Sequence, residues 1–226
     1  MIKDIFWSQL KSWKVKKMSN PLNDVKWKEF KISKHFIVEN SKPYHKESLN
    51  LTDKGIPYIT RTSLNNGLEG IVEPNDDFVI NAGNAISFGA ENADFFYHSK
   101  DFITGNKMYV VRHEKMNKNI GLFLVQAFSQ SIKGCGFGYG KGLTGTRFKT
   151  RVVMLPEGPD GEPDWEFMDN YIKQKEVEKI QKLIDYYEEK LIEPDFEVTD
   201  LEEVEWDTFL FEKLFGLIKR GRRLTK

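Results

Sequence analysis

The sequence predicts an α+β fold, a β-rich domain followed by one long helix. Three observations lead there. Between Trp27 and Leu155, short β-branched and aromatic runs alternate with Asn/Gly turns. From Asp164 onward, apolar residues recur at helical spacing through a charged segment. Finally, the opening of the domain recurs near the C-terminus. Trp27, Phe30 and Phe36 have counterparts of the same spacing in Trp206, Phe209 and Phe215, 179 residues further on. That period is too long for a solenoid and suits a whole domain plus a spacer. The expected division is a peripheral segment over 1–21, the β-rich domain over 22–160, the helix over 161–194, and over 195–226 an acidic linker with the truncated start of a second repeat.

Within the domain, Ile56–Thr60, Phe78–Ile80, Ala85–Phe88 and Met108–Arg112 read as strands. Asn65-Asn66-Gly67, Glu69-Gly70 and Ala82-Gly83-Asn84 read as turns, because Asn and Gly tolerate positive φ. Ile120, Phe123, Phe128 and Ile132 place an amphipathic helix over 119–132. Gly134 to Gly142 carries Gly at every second position, which suits neither helix nor ordinary strand. It reads as an open loop whose backbone closely approaches something. Arg147–Leu155 is expected to be strand and 156–163 a linker. Asp164 is a good N-cap, with Glu166 and Asp169 favoured by the helix dipole in the first turn. Val177, Ile180, Ile184, Tyr187 and Leu191 form a heptad-type seam that ends before Pro194. That seam packs either on its own domain or on a partner helix, and the spacing does not decide between them.

Composition narrows the functions. Seventeen Phe, five Trp and eight Tyr supply a core. The single cysteine, Cys135, excludes an internal disulfide and suits a reducing compartment. No apolar run reaches the ~20 residues of a membrane span, and no signal-peptide pattern opens the chain. The expectation is a cytoplasmic protein with no membrane. Charge is uneven: residues 1–162 are net +6 and residues 163–226 net −6. Lys133, Lys141, Arg147, Lys149 and Arg151 lie in a stretch free of acids, compatible with contacts to phosphates.

Catalytic motifs fail on inspection. Gly140-Lys-Gly-Leu-Thr-Gly145 fits a dinucleotide fingerprint in letters only, since it follows a glycine loop and precedes an expected strand. Gly142 stands where a P-loop needs Ser or Thr. His35, His45, His98 and His113 have no metal-ligand spacing, so no metal site is expected. Asp164 and Glu188-Glu189-Lys190 hold the letters of a nuclease centre. They sit toward opposite ends of one helix, over ~30 Å apart at 1.5 Å per residue, and cannot share a metal. Binding chemistry remains. Lys133, Lys141, Arg147 and Lys149 suit phosphates, and Phe137 or Tyr139 suits stacking. Arg61, Thr62 and Asn65 place hydrogen-bonding groups of the kind that read guanine and adenine. Arg61 and Lys141 serve equally well as solvated surface cations.

These residues carry a resemblance. Trp27, Phe30 and Phe36; Gly55-Ile-Pro-Tyr-Ile-Thr-Arg-Thr62 with Asn65-Asn66-Gly67; Phe137-Gly-Tyr-Gly-Lys141 leading to Arg147; and Leu155-Pro156 with Gly161–Ile172 and the helix resemble, in that order, the DNA-specificity subunit of type I restriction–modification systems and related two-part type II systems. The resemblance implies two target-recognition domains per full subunit, joined by long helices that pair antiparallel. Each domain would read one half of a split site in double-stranded DNA. The helices would space the halves and dock a DNA adenine methyltransferase subunit, and in some systems a restriction subunit. The chain itself would be non-catalytic and bind no cofactor. S-adenosylmethionine, Mg and ATP would act on partner subunits. A chain ending inside the second repeat would be a fragment, a truncated product or a half-subunit that homodimerises through the spacer helix. The competing expectation is a protein-interaction scaffold without sequence specificity of its own.

Overall fold

A computed structural model describes residues 22–138, 140–191, 202–210 and 213, without the side chains of Glu189 and Leu191. The chain divides into two units, Met1–Gln181 and Lys182–Lys226. The first unit is an α+β domain. Its strands are β1 (Trp27–Lys31), β2 (Ile37–Asn40), β3 (Leu51–Ile59), β4 (Leu68–Val72), β5 (Ala85–Gly89), β6 (Phe95–His98), β7 (Ile103–Thr104), β8 (Met108–Arg112) and β9 (Val152–Pro156). Its helices are α1 (Ile32–His35), α2 (Lys118–Ile132), α3 (Gly145–Lys149) and the start of α4 (Trp165–Leu191). Three sheets form, in the orders β1-β9, β2-β8-β5-β6 and β4-β3-β7.

The main core lies where the four-stranded sheet meets α2, α3 and the first turns of α4. Phe36, Phe88, Phe95, Phe128 and Phe148 make a continuous aromatic cluster with centroids 5.1 to 5.6 Å apart. Edge-to-face and tilted pairs of this kind add to the burial of large apolar area. The periodicity of α2 explains its seat: Ile120, Phe123, Leu124 and Phe128 are buried, and Asn117 caps the helix through Ile120 N–H at 3.0 Å. Gly121 sits where α2 crosses β6, because a Cβ there would lie 2.2 Å from the Tyr97 ring.

Helix α4 begins as its sequence requires. Asp164 Oδ1 accepts from Phe167 N–H at 2.9 Å, so this acid is an N-cap. Met168 is fully buried, and Asp169 accepts from Asn117 and Asn119 while pairing with Lys173. Those contacts hold its carboxyl below the ordinary range, Lys173 most strongly. Lys118 pairs with Glu176 at 2.7 Å, fastening the helix to α2 over about three turns.

Four local expectations are corrected. Phe78–Ile80 is not a strand. Phe78 packs on Tyr44 at 4.9 Å, and the Tyr44 hydroxyl accepts the Val79 N–H at 2.7 Å, leaving only Asn81 to bridge to Phe102. Glu69-Gly70 is not a turn but part of β4, where Gly70 pairs with Tyr58. The strand expected over Arg147–Leu155 starts only at Val152. Before it, Thr144 caps the short helix α3 by accepting Arg147 N–H at 3.2 Å. Arg151 is not a surface cation. It is half-buried, donates to Ser131 O and Cys135 Sγ at 3.0 Å, and ties the end of α2 to β9.

Gly55 in β3 has a steric explanation. The strand shifts register there, and a Cβ would lie 2.1 Å from Val72 O. Only glycine lets the two backbones approach so closely.

Candidate nucleic-acid interface

Three loops meet on one turn. The β5–β6 turn, Gly89 to Asp94, is tight, with Ala93 at φ +57° and its N–H bonded to Gly89 O at 3.0 Å. On one side it holds the loop after β3: Asn92 Nδ2 donates to Arg61 O, and Ser63 Oγ donates to Asp94. On another it holds the β7–β8 loop, where Ala90 N–H donates to Lys107 O at 3.1 Å. On the third it receives the glycine loop, since Leu143 N–H donates to Ala90 O at 2.7 Å. Gly142 fits against the same carbonyl, which a Cβ would approach to 3.0 Å.

The glycine loop is open, as its composition predicts. Gly134, Gly136 and Gly140 have φ of +75°, +67° and +88°, and nothing lies within 4 Å of where their Cβ atoms would be. Their need for glycine is thus conformational. The space they leave empty exposes the loop backbone to solvent. Gly138 and Lys141 exchange backbone hydrogen bonds at 3.2 and 3.1 Å. Between this loop and the β5–β6 turn lies a cleft of about 810 Å³, lined by Glu91, Lys107, Tyr109, Thr144, Thr146 and Arg147 among others.

The residues expected to bind DNA distribute as follows. Arg147 lines the cleft, is exposed, and donates to Gly142 O at 2.6 Å. Lys141 is exposed, donates to Cys135 O at 2.9 Å, and lies 5.5 Å over the Phe137 ring. Neither is buried against an acid. Arg61 does not line the cleft but pairs with Glu91, which does. Thr62 Oγ1 accepts Leu64 N–H at 3.2 Å, a side-chain turn that shapes the Arg61 loop. Asn65 lies apart from the cleft, in a second depression of about 230 Å³ with Asn66, Tyr97 and His98. Its φ of +46°, with Asn66 at +53°, is the turn geometry that asparagine tolerates. Lys133 and Lys149 are exposed and line neither depression. Tyr139 lies outside the described residues.

Sequence reasoning missed Lys107 and Glu91. Lys107 follows Gly105-Asn106, a local turn signal. Nothing local in the sequence points Glu91 at both Arg61 and Lys107. Its carboxyl is held below the ordinary range by the Lys107 hydrogen bond first and by Arg61 nearby. Among the described residues no group of three His, Cys, Asp or Glu side chains is placed to hold a metal ion, and no helix is long and apolar enough to cross a membrane.

The expected partner-helix residues fall in both units. In the first, Val177 is half-buried and Ile180 is 50% exposed. In the second, Ile184 is half-buried and Tyr187 is 56% exposed. The side chain of Leu191 is not described. Leu183 and Tyr186 are also about half exposed and were not expected in the seam. In the same unit, Trp206 and Phe209 are 76% and 62% exposed.

Sheet order, long helix and glycine-lined cleft define an α+β domain followed by a helix. The chain belongs to the family described as type I restriction modification DNA specificity domain, whose profile matches residues 24–185. It is 27% identical over 206 residues to the specificity subunit S.BcgI of a type II restriction enzyme from Heyndrickxia coagulans, covering 90% of this chain and 58% of that protein. Among solved structures, it is similar to a chain from a study of complex assembly and conformational transition of the type I R-M system, with a TM-score of 0.51 at 10% identity over 81% of this chain and 47% of that one. It is also similar to the type I S subunit from M. genitalium, with a TM-score of 0.47 at 15% identity over 86% of this chain and 51% of that one. The chain thus spans about half the length of these relatives.

Proposed function

We propose that this chain reads one half of a bipartite site in double-stranded DNA, as the specificity subunit or half-subunit of a restriction–modification enzyme. The observation that carries the reading is the coincidence of two things. The family profile covers 24–185, and within that span Arg147 and Lys107 line an open cleft, with Lys141 on the adjoining glycine loop and Arg61 paired to Glu91 of the cleft wall. Lys141 and Arg147, exposed and bonded to loop carbonyls, can exchange those bonds for phosphates at little cost. Arginine carries enough donors to read a guanine edge. Residues 22–160 act as the recognition domain, Asn65, Lys133 and Lys149 extend the contact beyond the cleft, and Tyr139 contributes a stacking ring.

Helix α4 is the spacer. Ile180 in the first unit and Leu183 and Tyr187 in the second support pairing with a partner helix, from a second copy or a second repeat. The chain itself does no chemistry. Methyl transfer from S-adenosylmethionine, and steps that need Mg or ATP, belong to a methyltransferase subunit and, where present, a restriction subunit in the cytoplasm.

The test is duplex binding by fluorescence anisotropy across salt concentrations. Lys141→Ala with Arg147→Ala should weaken binding and lower the salt slope by up to about 1.8, at about 0.9 per phosphate contact. An unchanged slope removes the glycine loop from the interface. Specific binding only in the presence of a methyltransferase partner favours the scaffold reading.

A further inference from the structure

The cations around the cleft are of two kinds. Lys141 and Arg147 are bonded to carbonyls of their own loop. Arg61 and Lys107 instead share one carboxylate. Glu91 Oε2 pairs with Arg61 Nη1, and Glu91 Oε1 with Lys107 Nζ at 2.8 Å. A negative charge in a phosphate-binding cleft is a cost unless it serves a purpose, because it repels every phosphate that approaches.

The surrounding structure fixes this arrangement. The Arg61 side chain lies across the end of β5, where a Cβ on Gly89 would come within 2.7 Å of its Cγ. Its carbonyl is held by Asn92, whose amide also reaches Ser63 at 3.3 Å and Asp94 at 3.1 Å. Lys107 is held at φ +57° with its carbonyl bonded to Ala90. The turn that carries Glu91 therefore sets the positions of both cations.

We propose that Glu91 is a specificity-determining residue that withholds Arg61 and Lys107 from phosphates. This rests on the DNA-reading function proposed above. A phosphate that approaches either cation is repelled by the charge of the Glu91 carboxylate, so neither contributes fully to sequence-independent binding. A guanine edge carries no net charge and escapes most of that repulsion. Arg61 carries five N–H donors, and O6 and N7 need only two of them. Glu91 thus lowers affinity for random DNA while leaving base readout available, which is discrimination by an unfavourable contact.

The experiment uses the full chain and a pool of random-sequence 30-base-pair duplexes, with anisotropy read from 50 to 300 mM NaCl. Glu91→Gln keeps the shape and removes the charge. It should bind the pool several-fold more tightly at low salt, with a slope steeper by about 0.9 to 1.8. Adding Arg61→Gln and Lys107→Gln should cancel the gain. Glu91→Asp keeps the charge and should stay near the wild-type slope. Thermal melts of each variant report folding separately. If Glu91→Gln binds no more tightly, or if Glu91→Asp changes binding as much as Glu91→Gln, the residue is a structural bracket and the proposal is overturned. If the wild-type chain binds no duplex at 50 mM salt, the DNA-reading function fails, and this inference with it.

Discussion

Lowering the pH should destabilise the domain through His98. Ser87 is fully buried, and its Oγ lies 2.7 Å from His98 Nε2. The imidazole also packs on Phe102 at 4.6 Å. Burial pushes the His98 pKa from 6.5 down to about 4. The unfolded chain therefore takes up a proton near pH 6.5 and the folded chain only near pH 4. Between those values the unfolded state holds more protons, so stability falls as pH falls. The loss from this one group is about 2 kcal/mol by pH 5 and about 3 kcal/mol by pH 4. That is a large part of the 5–15 kcal/mol typical of a domain. Urea unfolding at pH 7.5, 6 and 5 measures it. His113, lowered more weakly by burial, acts in the same direction, so the His98→Gln variant isolates the main term. A wild-type free energy that changes by less than about 0.5 kcal/mol from pH 7.5 to 5, or a His98→Gln variant with the same pH dependence, refutes the reasoning.

Three further outcomes are expected. Gly121→Ala should lose about 1–3 kcal/mol in thermal or urea unfolding, because the clash with Tyr97 outweighs the helix propensity gained; a stabilised variant would mean that α2 and β6 are not so closely packed. Asp164→Ala should cost about 1 kcal/mol while Asp164→Asn stays near neutral, since either side chain caps α4; equal losses would deny the cap. Leu183→Glu with Tyr187→Glu should reduce self-association or partner capture in sedimentation velocity while the circular dichroism spectrum stays helical; unchanged association would exclude these residues from the docking face.

Where structure follows from neighbours in sequence, the sequence was a good guide. The α2 periodicity, the Asn65-Asn66 turn and the Asp164 cap all depend on residues within a few positions of one another. Elsewhere, distant partners decide. Phe78–Ile80 has strand-like residues, but Tyr44, thirty-five positions before Val79, takes the N–H that a ladder would need. Arg147 to Arg151 looks like a continuation of the Val152–Val153 strand, yet Thr144 caps a helix that takes in Arg147. β1 pairs with β9 from Trp27↔Pro156 to Lys31↔Val152, which no local pattern signals. At the candidate site, the open glycine loop was readable because glycine's backbone freedom is a local property. The coupling of Arg61 and Lys107 through Glu91 was not, because it is made by folding three loops onto one turn. Arg151 shows the limit most clearly. In sequence it is one more cation in a basic stretch, and only the packing of α2 against β9 turns it inward.

The most direct measurement is selection from a random duplex library by the chain, alone and with a methyltransferase subunit, followed by sequencing of the bound fraction. A chain that reads bases enriches one short motif, and Arg61→Ala relaxes the preference at a single position of it by about 1–3 kcal/mol. A bound fraction as random as the input, at a salt concentration where the duplex is still retained, would mean that this surface grips phosphates and reads nothing.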